Sequence, residues 1–500
     1  MLRLLRSGRS WVAVLALVLA LGFLGTRDIW DPDEGRYTNV ALNMLDSGDW
    51  LDPHRNHEVD HWTKPPLTYW AVASSVAVFG RNPWAARLPA ALAYLLTVWL
   101  TWRIAQRLAP GSEAQAAVIY ATMLLPFGAS QVITTDFILT ASETLAVWAF
   151  IEARFGGSRR WQPWLALMWA GFALAFMTKG PPGLLPLLVL FAFNALMPRQ
   201  ARFRTVHWWG LLVFVLLAFP WYVAVILDNP GLFGHLVGDE VVSRVATDEF
   251  GRHGQWYGWL EVYLPTLLVG TLPWTVSLAR WLRALPASLL RWWRDRAGRE
   301  ANAADLLLAL WVLLPLLVFC LARSRLPLYL LPLFAPLAVA MAAQRLHAGQ
   351  ALPRWPWLLG WTVALLALKF TTSLLPSSSN AAEWAGQIRA RVDGPVAEVV
   401  FIEDMPHYGL HLHLGAQVEK ISLLPGPRAA FDPVNDGDLA QELAERERDV
   451  IWICKQTRWP ELRDRIAALH YRAIPLGAPY RGRILFHIEP LPGPAPPLPH

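Results

Sequence analysis

The sequence predicts an all-α polytopic membrane protein that carries a small soluble α/β domain at its C-terminal end. Hydrophobic residues make up 55% of the 500 positions and charged residues only 16%, a balance that excludes an ordinary soluble enzyme. Apolar runs long enough to cross a bilayer recur from Trp11 to Phe370. Most arginines sit in short clusters between those runs, as topology signals do. The net charge of +6 is therefore a membrane feature, and nucleic acid is excluded as a partner. Cys320 and Cys454 stand far apart with no ligand spacing around them, and they receive no function.

The first run, Trp11 to Leu24, follows Arg3, Arg6 and Arg9 and meets no small-residue cleavage site before Asp33, so it reads as an uncleaved first span. Further spans are expected near 84–102, 114–128, 136–153, 164–178, 182–197, 207–227, 257–279, 304–321, 327–343 and 355–372, about 11 to 13 helices in all. With a cytoplasmic N-terminus, Arg103 and Arg107, Arg154, Arg159 and Arg160, Arg199, Arg202 and Arg204, the run from Arg280 to Arg299, and Arg345 all fall inside. Leu67 to Phe79 would break that alternation if it crossed, so it is expected to be a juxtamembrane or re-entrant helix packed on protein.

The transmembrane domain is thus expected over 1–372, with long outer loops at 27–66 and 228–256. After the linker Ser377-Ser378-Ser379 the composition changes, and a soluble α/β domain is expected over 373–489. Val396 to Ile402 and Val450 to Cys454 suit buried strands, while Asp438 to Arg446 and Pro460 to Leu469 suit helices. A Pro-rich tail occupies 490–500.

The polar residues of the outer face form an ordered set. The first loop reads Asp33-Glu34-Gly35-Arg36-Tyr37, then His61-Trp62-Thr63-Lys64-Pro65-Pro66; later come Thr134-Thr135-Asp136, Thr178-Lys179-Gly180-Pro181 and Ser324-Arg325-Leu326-Pro327-Leu328-Tyr329. In order and spacing this set resembles the GT-C glycosyltransferases that use polyprenyl-phosphate sugars. It is most similar to the aminoarabinose transferase-like branch of the protein O-mannosyltransferase superfamily (glycosyltransferase family 83-like), over roughly residues 11 to 345.

That resemblance implies a GT-C fold and the transfer of a sugar from a polyprenyl phosphate to a glycolipid such as lipid A, another glycan or a protein. The reaction would run on the periplasmic face of a bacterial inner membrane, with the C-terminal domain on that face. Asp33 matches the family's catalytic aspartate, so it is expected to take the acceptor's proton, with Glu34 assisting; a single base opposite the leaving group inverts the anomeric centre. The ordinary alternative makes Asp33 the N-cap of a helix beginning near Gly35, with Glu34 favouring the same helix end.

Lys64 and Arg325 match the family's basic residues and are expected at the lipid phosphate, and Arg36, Tyr37, Lys179, Glu240 and Tyr329 are expected around the phosphate and sugar. Lys64 also suits a residue snorkelling to headgroups. Asp136 is either a site carboxylate or a helix N-cap, and Lys179 is either a substrate cation or the ion-pair partner of Asp136. The resemblance also carries a divalent metal ligand to His253. The family's ligating glutamate, however, is replaced here by Thr63, which leaves His253, with His61 as a substitute, short of the three or four protein ligands that zinc takes. No other cofactor is expected.

Trp30, Trp62, Trp70, Trp221 and Trp256 fit an interfacial belt. Two other readings compete with the transferase. A lipid-sugar flippase or transporter would place its charges at the bilayer midplane and show internal repeats, whereas these charges gather at one face with no fixed repeat. A non-catalytic assembly protein would tolerate loss of Asp33.

Overall fold

The computed structural model describes residues 8–157, 160–238, 253–296, 298–426 and 428–492. Arg3, Arg6, Arg159, Glu240 and the end of the Pro-rich tail lie outside them. The chain forms two compact units: Met1–Leu24, Lys64–Thr68 and Arg87–Thr372 make up the first, and Gly25–Thr63, Tyr69–Ala86 and Ser373–His500 the second. The second unit takes in the first long loop as far as Thr63, together with Ser373–His500.

The first unit is helical throughout its described apolar runs, because only a helix satisfies its backbone groups within one segment in lipid. The chain is a multi-pass membrane protein. Five described helices are long and apolar enough to cross: Pro83–Leu108, Trp208–Asp228, Ala303–Leu321, Pro327–His347 and Trp355–Leu374. The expected count was higher, and the difference has local causes. The expected span at 114–128 is two helices, Glu113–Thr122 and Leu124–Ala129, separated by extended Met123. Thr135–Phe155 has the length but carries Asp136, Glu143 and Glu152. Gly8–Leu21 and Leu67–Phe79 are apolar but short.

The expected continuous span at 257–279 is corrected by the structure. Gly258–Gly270 and Thr275–Arg294 meet at 118°. Pro273 lies in the break, where it can neither donate a ladder hydrogen bond nor leave Leu272 helical. The second piece carries Arg280, Arg283, Arg291 and Arg294 beside exposed Leu289, Leu290 and Trp293, the make-up of an interfacial amphipathic helix.

Burial separates lipid-facing helices from central ones. The apolar window of Pro327–His347 is 78% buried, whereas those of Trp208–Asp228 and Trp355–Leu374 are 28% and 22% buried; the latter two present leucine, valine and tryptophan outward. At the centre, Gln162–Lys179 packs on Thr135–Phe155 through Gly171. A Cβ there would stand 2.8 Å from the Ala146 nitrogen and 2.9 Å from its Cα, so the two backbones are in contact, as small residues permit between membrane helices. Near the other end of the same helix, buried Glu152 accepts from Arg103 at 3.0 Å, Arg107 at 2.8 Å and the Trp148 indole at 3.2 Å. Two of the topology arginines therefore also neutralise an interior carboxylate.

The second unit contains a six-stranded sheet of order β3-β2-β1-β4-β6-β5, with β1 Glu398–Ile402, β2 Gln417–Ser422, β3 Gly437–Asp438, β4 Val450–Lys455, β5 Tyr471–Pro475 and β6 Arg483–Pro490. β1 pairs in parallel with β2 and β4, and β2 with β3, while β6 runs antiparallel to both β4 and β5. Apolar cores cover both faces of this sheet, one around Val400, Ile421, Leu439 and Trp452 and the other around Trp384, Phe401, Val418 and Ile453. Helices lie on both faces of such a sheet, which is why β1 and β4 are apolar nearly throughout. Leu439–Glu445 and Trp459–Ala468 form where helices were expected, and a capping box of Asp438 with Gln441 starts the former.

The Gly171 contact makes a measurable claim. Gly171→Ala overpacks the helix pair and should lower the thermal midpoint of the detergent-solubilised protein, at a cost of about 1–3 kcal/mol. Gly360→Ala, on a helix where a Cβ meets nothing within 4 Å, should leave it level or raise it. Equal midpoints for the two variants would contradict the backbone contact.

Candidate active site

In the second unit the Asp33–Ser47 helix begins at Asp33 itself, two residues before the expected start, and no side chain caps it. The capping role is thereby removed from Asp33. Its side chain is 63% exposed and turns one helical step forward to Arg36, with Nη2 donating to Oδ1 at 2.9 Å. Arg36 in turn lies over the Tyr37 ring at 5.6 Å. Tyr37 is buried and stacks on Tyr69 with centroids 5.7 Å apart. Asp33, Arg36 and Tyr37 are thus brought together, with Asp33 as the water-accessible carboxylate of the group.

Its two acidic neighbours are built differently. Glu34 is 2% exposed, lies 2.7 Å from Arg27 Nη1 and accepts from the Trp30 backbone N–H at 3.2 Å. Asp31 is also buried; the Gly409 N–H donates to its Oδ1 at 3.0 Å and His407 Nδ1 stands 3.4 Å from Oδ2. Burial pushes the Asp31 carboxyl above the usual carboxylate range, and His407 draws it back only in part. Gly35 permits this packing, since a Cβ there would collide with the Asp31 carboxylate.

Later in the loop, His61 is buried. Its Nε2 and the Thr63 hydroxyl are 2.8 Å apart, and its Nδ1 is 3.3 Å from Asp432. Desolvation pushes its pKa below the ordinary imidazole value, so it is held neutral among protein partners.

In the first unit, Thr134 caps the Thr135–Phe155 helix, accepting from the Asp136 N–H at 3.3 Å. Asp136 is therefore not the cap. Its Oδ1 meets Lys179 Nζ at 2.5 Å, with both side chains nearly buried at 11% and 13% exposure. Lys179 ends its helix just before Gly180, whose φ of 70° turns the chain, and its ammonium lies 4.6 Å from the Tyr329 ring centroid. Asp136, Lys179 and Tyr329 thus form one cluster.

Arg325 is buried, and its guanidinium is committed to backbone: Nη1 donates to the carbonyls of His253 and Gln255, the latter at 2.7 Å, and Nη2 to Cys320 at 3.0 Å. It fastens the loop around His253 to the end of the Ala303–Leu321 helix. Lys64 is half-buried in the turn before Leu67, and Glu240 lies outside the described residues.

The His253 ring is half-exposed and 3.7 Å from Glu261. Among the described residues, these two donors alone fall short of a zinc site. The Thr63 hydroxyl, in the position where the resemblance puts a carboxylate ligand, is engaged with His61. Among the described residues this donor set does not fit the metal that the resemblance implies.

Arg27, Asp31, His407 and Asp432 shape the loop and were missed by sequence reasoning. Asp31 stood in the same acidic run as Asp33; nothing local marked His407 or Asp432, which come some 370 or more residues later.

Residues 63–223 match the family described as dolichyl-phosphate-mannose-protein mannosyltransferase. An undecaprenyl phosphate-alpha-4-amino-4-deoxy-L-arabinose arabinosyl transferase of Pseudomonas aeruginosa is 33% identical over 369 residues, covering 70% of this chain and 64% of that protein. One from Pseudomonas fluorescens is 34% identical over 348 residues, covering 66% of this chain and 55% of its own length. The chain thus spans less than two thirds of the curated relatives it matches. The crystal structure of ArnT from Cupriavidus metallidurans bound to undecaprenyl phosphate has the same fold, with a TM-score of 0.74 at 20% identity over 95% of this chain and 97% of that one.

The Asp136–Lys179 pair can be assigned by a double-mutant cycle. Lys179→Ala alone leaves a nearly buried carboxylate without its cation and should cost about 3–5 kcal/mol. If the pair is structural, Asp136→Ala combined with Lys179→Ala should recover much of that stability together with turnover. A double variant that regains its thermal midpoint yet stays inactive would place the pair in the chemistry.

Proposed function

Because this chain belongs to the aminoarabinose transferase-like branch of the GT-C superfamily, we propose that it is a membrane glycosyltransferase that moves a sugar from a polyprenyl phosphate to an acceptor hydroxyl. The observation that carries the reading is the state of Asp33. It is an exposed carboxylate at a helix start, relieved of capping and, among the described residues, paired with Arg36, while Asp31 and Glu34 on either side are buried in protein contacts.

In this reading Asp33 accepts the proton of the acceptor hydroxyl as the hydroxyl oxygen bonds to the anomeric carbon. The bond from that carbon to the phosphate oxygen breaks, polyprenyl phosphate leaves, and the configuration inverts. Cations meet the charge that grows on the leaving phosphate. Arg36 stands beside the base, and the resemblance gives the same task to Lys64 and Lys179. Arg325, whose fork is spent on three carbonyls, acts instead by positioning the loop that carries His253. Glu34 supports the helix through Arg27 rather than taking a proton.

The names of the relatives favour a pentose, 4-amino-4-deoxy-L-arabinose, carried on undecaprenyl phosphate, and an acceptor of the lipid A kind follows from the resemblance. The basic clusters favour a cytoplasmic N-terminus, with Asp33 and the C-terminal domain on the periplasmic side of the inner membrane.

Asp33→Asn keeps the size and polarity of the side chain but cannot take the proton, so turnover should fall by about 10²–10⁴. Donor binding and the thermal midpoint should stay near wild type. Glu34→Gln should act the other way, weakening a charge-assisted contact worth about 1.5–3 kcal/mol and lowering the midpoint more than the rate measured on folded protein. The assay is transfer from radiolabelled undecaprenyl-phosphate aminoarabinose to lipid A in membranes. Near-normal turnover by Asp33→Asn sinks the assignment of the base.

A further inference from the structure

The α/β domain buries a group of carboxylates that the transferase reading does not use. Glu398 opens β1 and Glu419 lies in β2. In the parallel register Glu398 stands opposite Gln417 and Val400 opposite Glu419, so the two glutamates are diagonal neighbours on one face of the sheet. That face is the one whose core contains Val400, Ile402, Ile421 and Leu423. The glutamates therefore occupy positions where strand alternation calls for apolar side chains. Glu442, on the Leu439–Glu445 helix that packs over this face, joins them.

All three side chains are nearly fully buried: Glu398 is 2% exposed, Glu419 2% and Glu442 5%. Both oxygens of Glu398 and Oε1 of Glu419 are buried without a hydrogen-bond donor, and among the described residues no lysine or arginine pairs with any of the three. Their ligand-capable atoms converge. Those of His57, Glu398 and Glu419 lie within 4.8 Å of one another, as do those of Glu398, Glu442 and Glu447. Glu447 and His57 close the group from the exposed rim, 3.7 Å apart. Burial first, and then the Glu447 side chain beside Glu398 and the charge of acidic neighbours beside Glu419 and Glu442, pushes the three buried carboxyls above the usual carboxylate range.

A buried carboxylate without a donor is costly, and one without a counter-charge more so. Converging oxygens from three elements, with one imidazole at the edge, are what a hard divalent cation takes as ligands. We propose that Glu398, Glu419 and Glu442, closed by Glu447 and His57, bind one divalent cation of the oxygen-preferring class, Mn²⁺ or Ca²⁺. Glu398 belongs to both triplets and is the central ligand. Because His57 comes from the first long loop, the cation ties that loop to the sheet within this unit. It is distinct from any metal at His253, shares no residue with the Asp33 or Asp136 clusters, and has a structural task.

The test uses the full-length protein in detergent, stripped with EDTA and desalted, then titrated with Mn²⁺ while free Mn²⁺ is followed by electron paramagnetic resonance. The expected result is a saturable site near one equivalent, displaced by Ca²⁺, with a rise in thermal midpoint on binding. Glu398→Gln should weaken the site at least about tenfold. Glu447→Gln, on the exposed rim, should weaken it severalfold while leaving the metal-free midpoint unchanged, so the proposal stays decidable if Glu398→Gln fails to fold. Two results overturn it. One is the absence of a saturable site for Mn²⁺, Ca²⁺ and Zn²⁺ in the wild type, in which case the carboxyls share protons among themselves. The other is a site of unchanged affinity in the Glu447→Gln or a folded Glu398→Gln variant, in which case the cation binds elsewhere.

Discussion

The buried carboxylate of Asp31 is the joint on which the first loop depends. It receives the Gly409 N–H and faces His407, and Gly35 presses against it where no larger residue fits. A carboxylate removed from water persists only where partners replace the water. The start of the Asp33–Ser47 helix is therefore held to the α/β domain, and Asp33, two residues on, is left facing solvent with Arg36. The position of the proposed base is thus set by a neighbour that does no chemistry.

The same rule repeats along the loop. Asn39 and Asn43 donate to the Arg55 carbonyl at 2.5 and 2.8 Å, while the Arg55 guanidinium pairs with buried Asp436. His411 bridges Asn39 at 2.8 Å and Asp46 at 3.0 Å, and the latter bond helps hold the Asp46 carboxyl below its usual range. The Arg55–Asp436 and His411 contacts join residues hundreds of positions apart within one compact unit. Breaking any of them leaves a buried polar group unpaired, so the loop and the sheet are expected to order together.

In the first unit, charge is handled by local pairing at helix ends. Lys179 meets Asp136, Arg103 and Arg107 meet Glu152, and Arg325 takes three carbonyls. The guanidinium fork that suits phosphate also suits converging carbonyls. Residue type alone did not separate those two uses for Arg325, and the same ambiguity covered Asp33 and Asp136 as caps. In both cases the cap reading failed on geometry: one helix starts at Asp33 without a side-chain cap, and the other is capped by Thr134.

By itself the sequence determined whatever depends on neighbours a few residues away. Apolar runs specified the helices, the strands at Val396–Ile402 and Val450–Cys454 stood out as apolar stretches, the first interrupted only by Glu398, and the ordered polar motifs pointed to the superfamily. β2 escaped because Glu419 and Lys420 interrupt its alternation, and the bend at Pro273 was hidden inside a long apolar run. Only the tertiary structure decided which acids are buried and which are free. Asp31, Asp33 and Glu34 are near-identical in local sequence, yet His407 and Gly409 claim the first, Arg27 the third, and solvent the second. Those choices rest on partners brought close by folding, and the energy of a carboxylate is set by what surrounds it in space rather than by what precedes it in the chain.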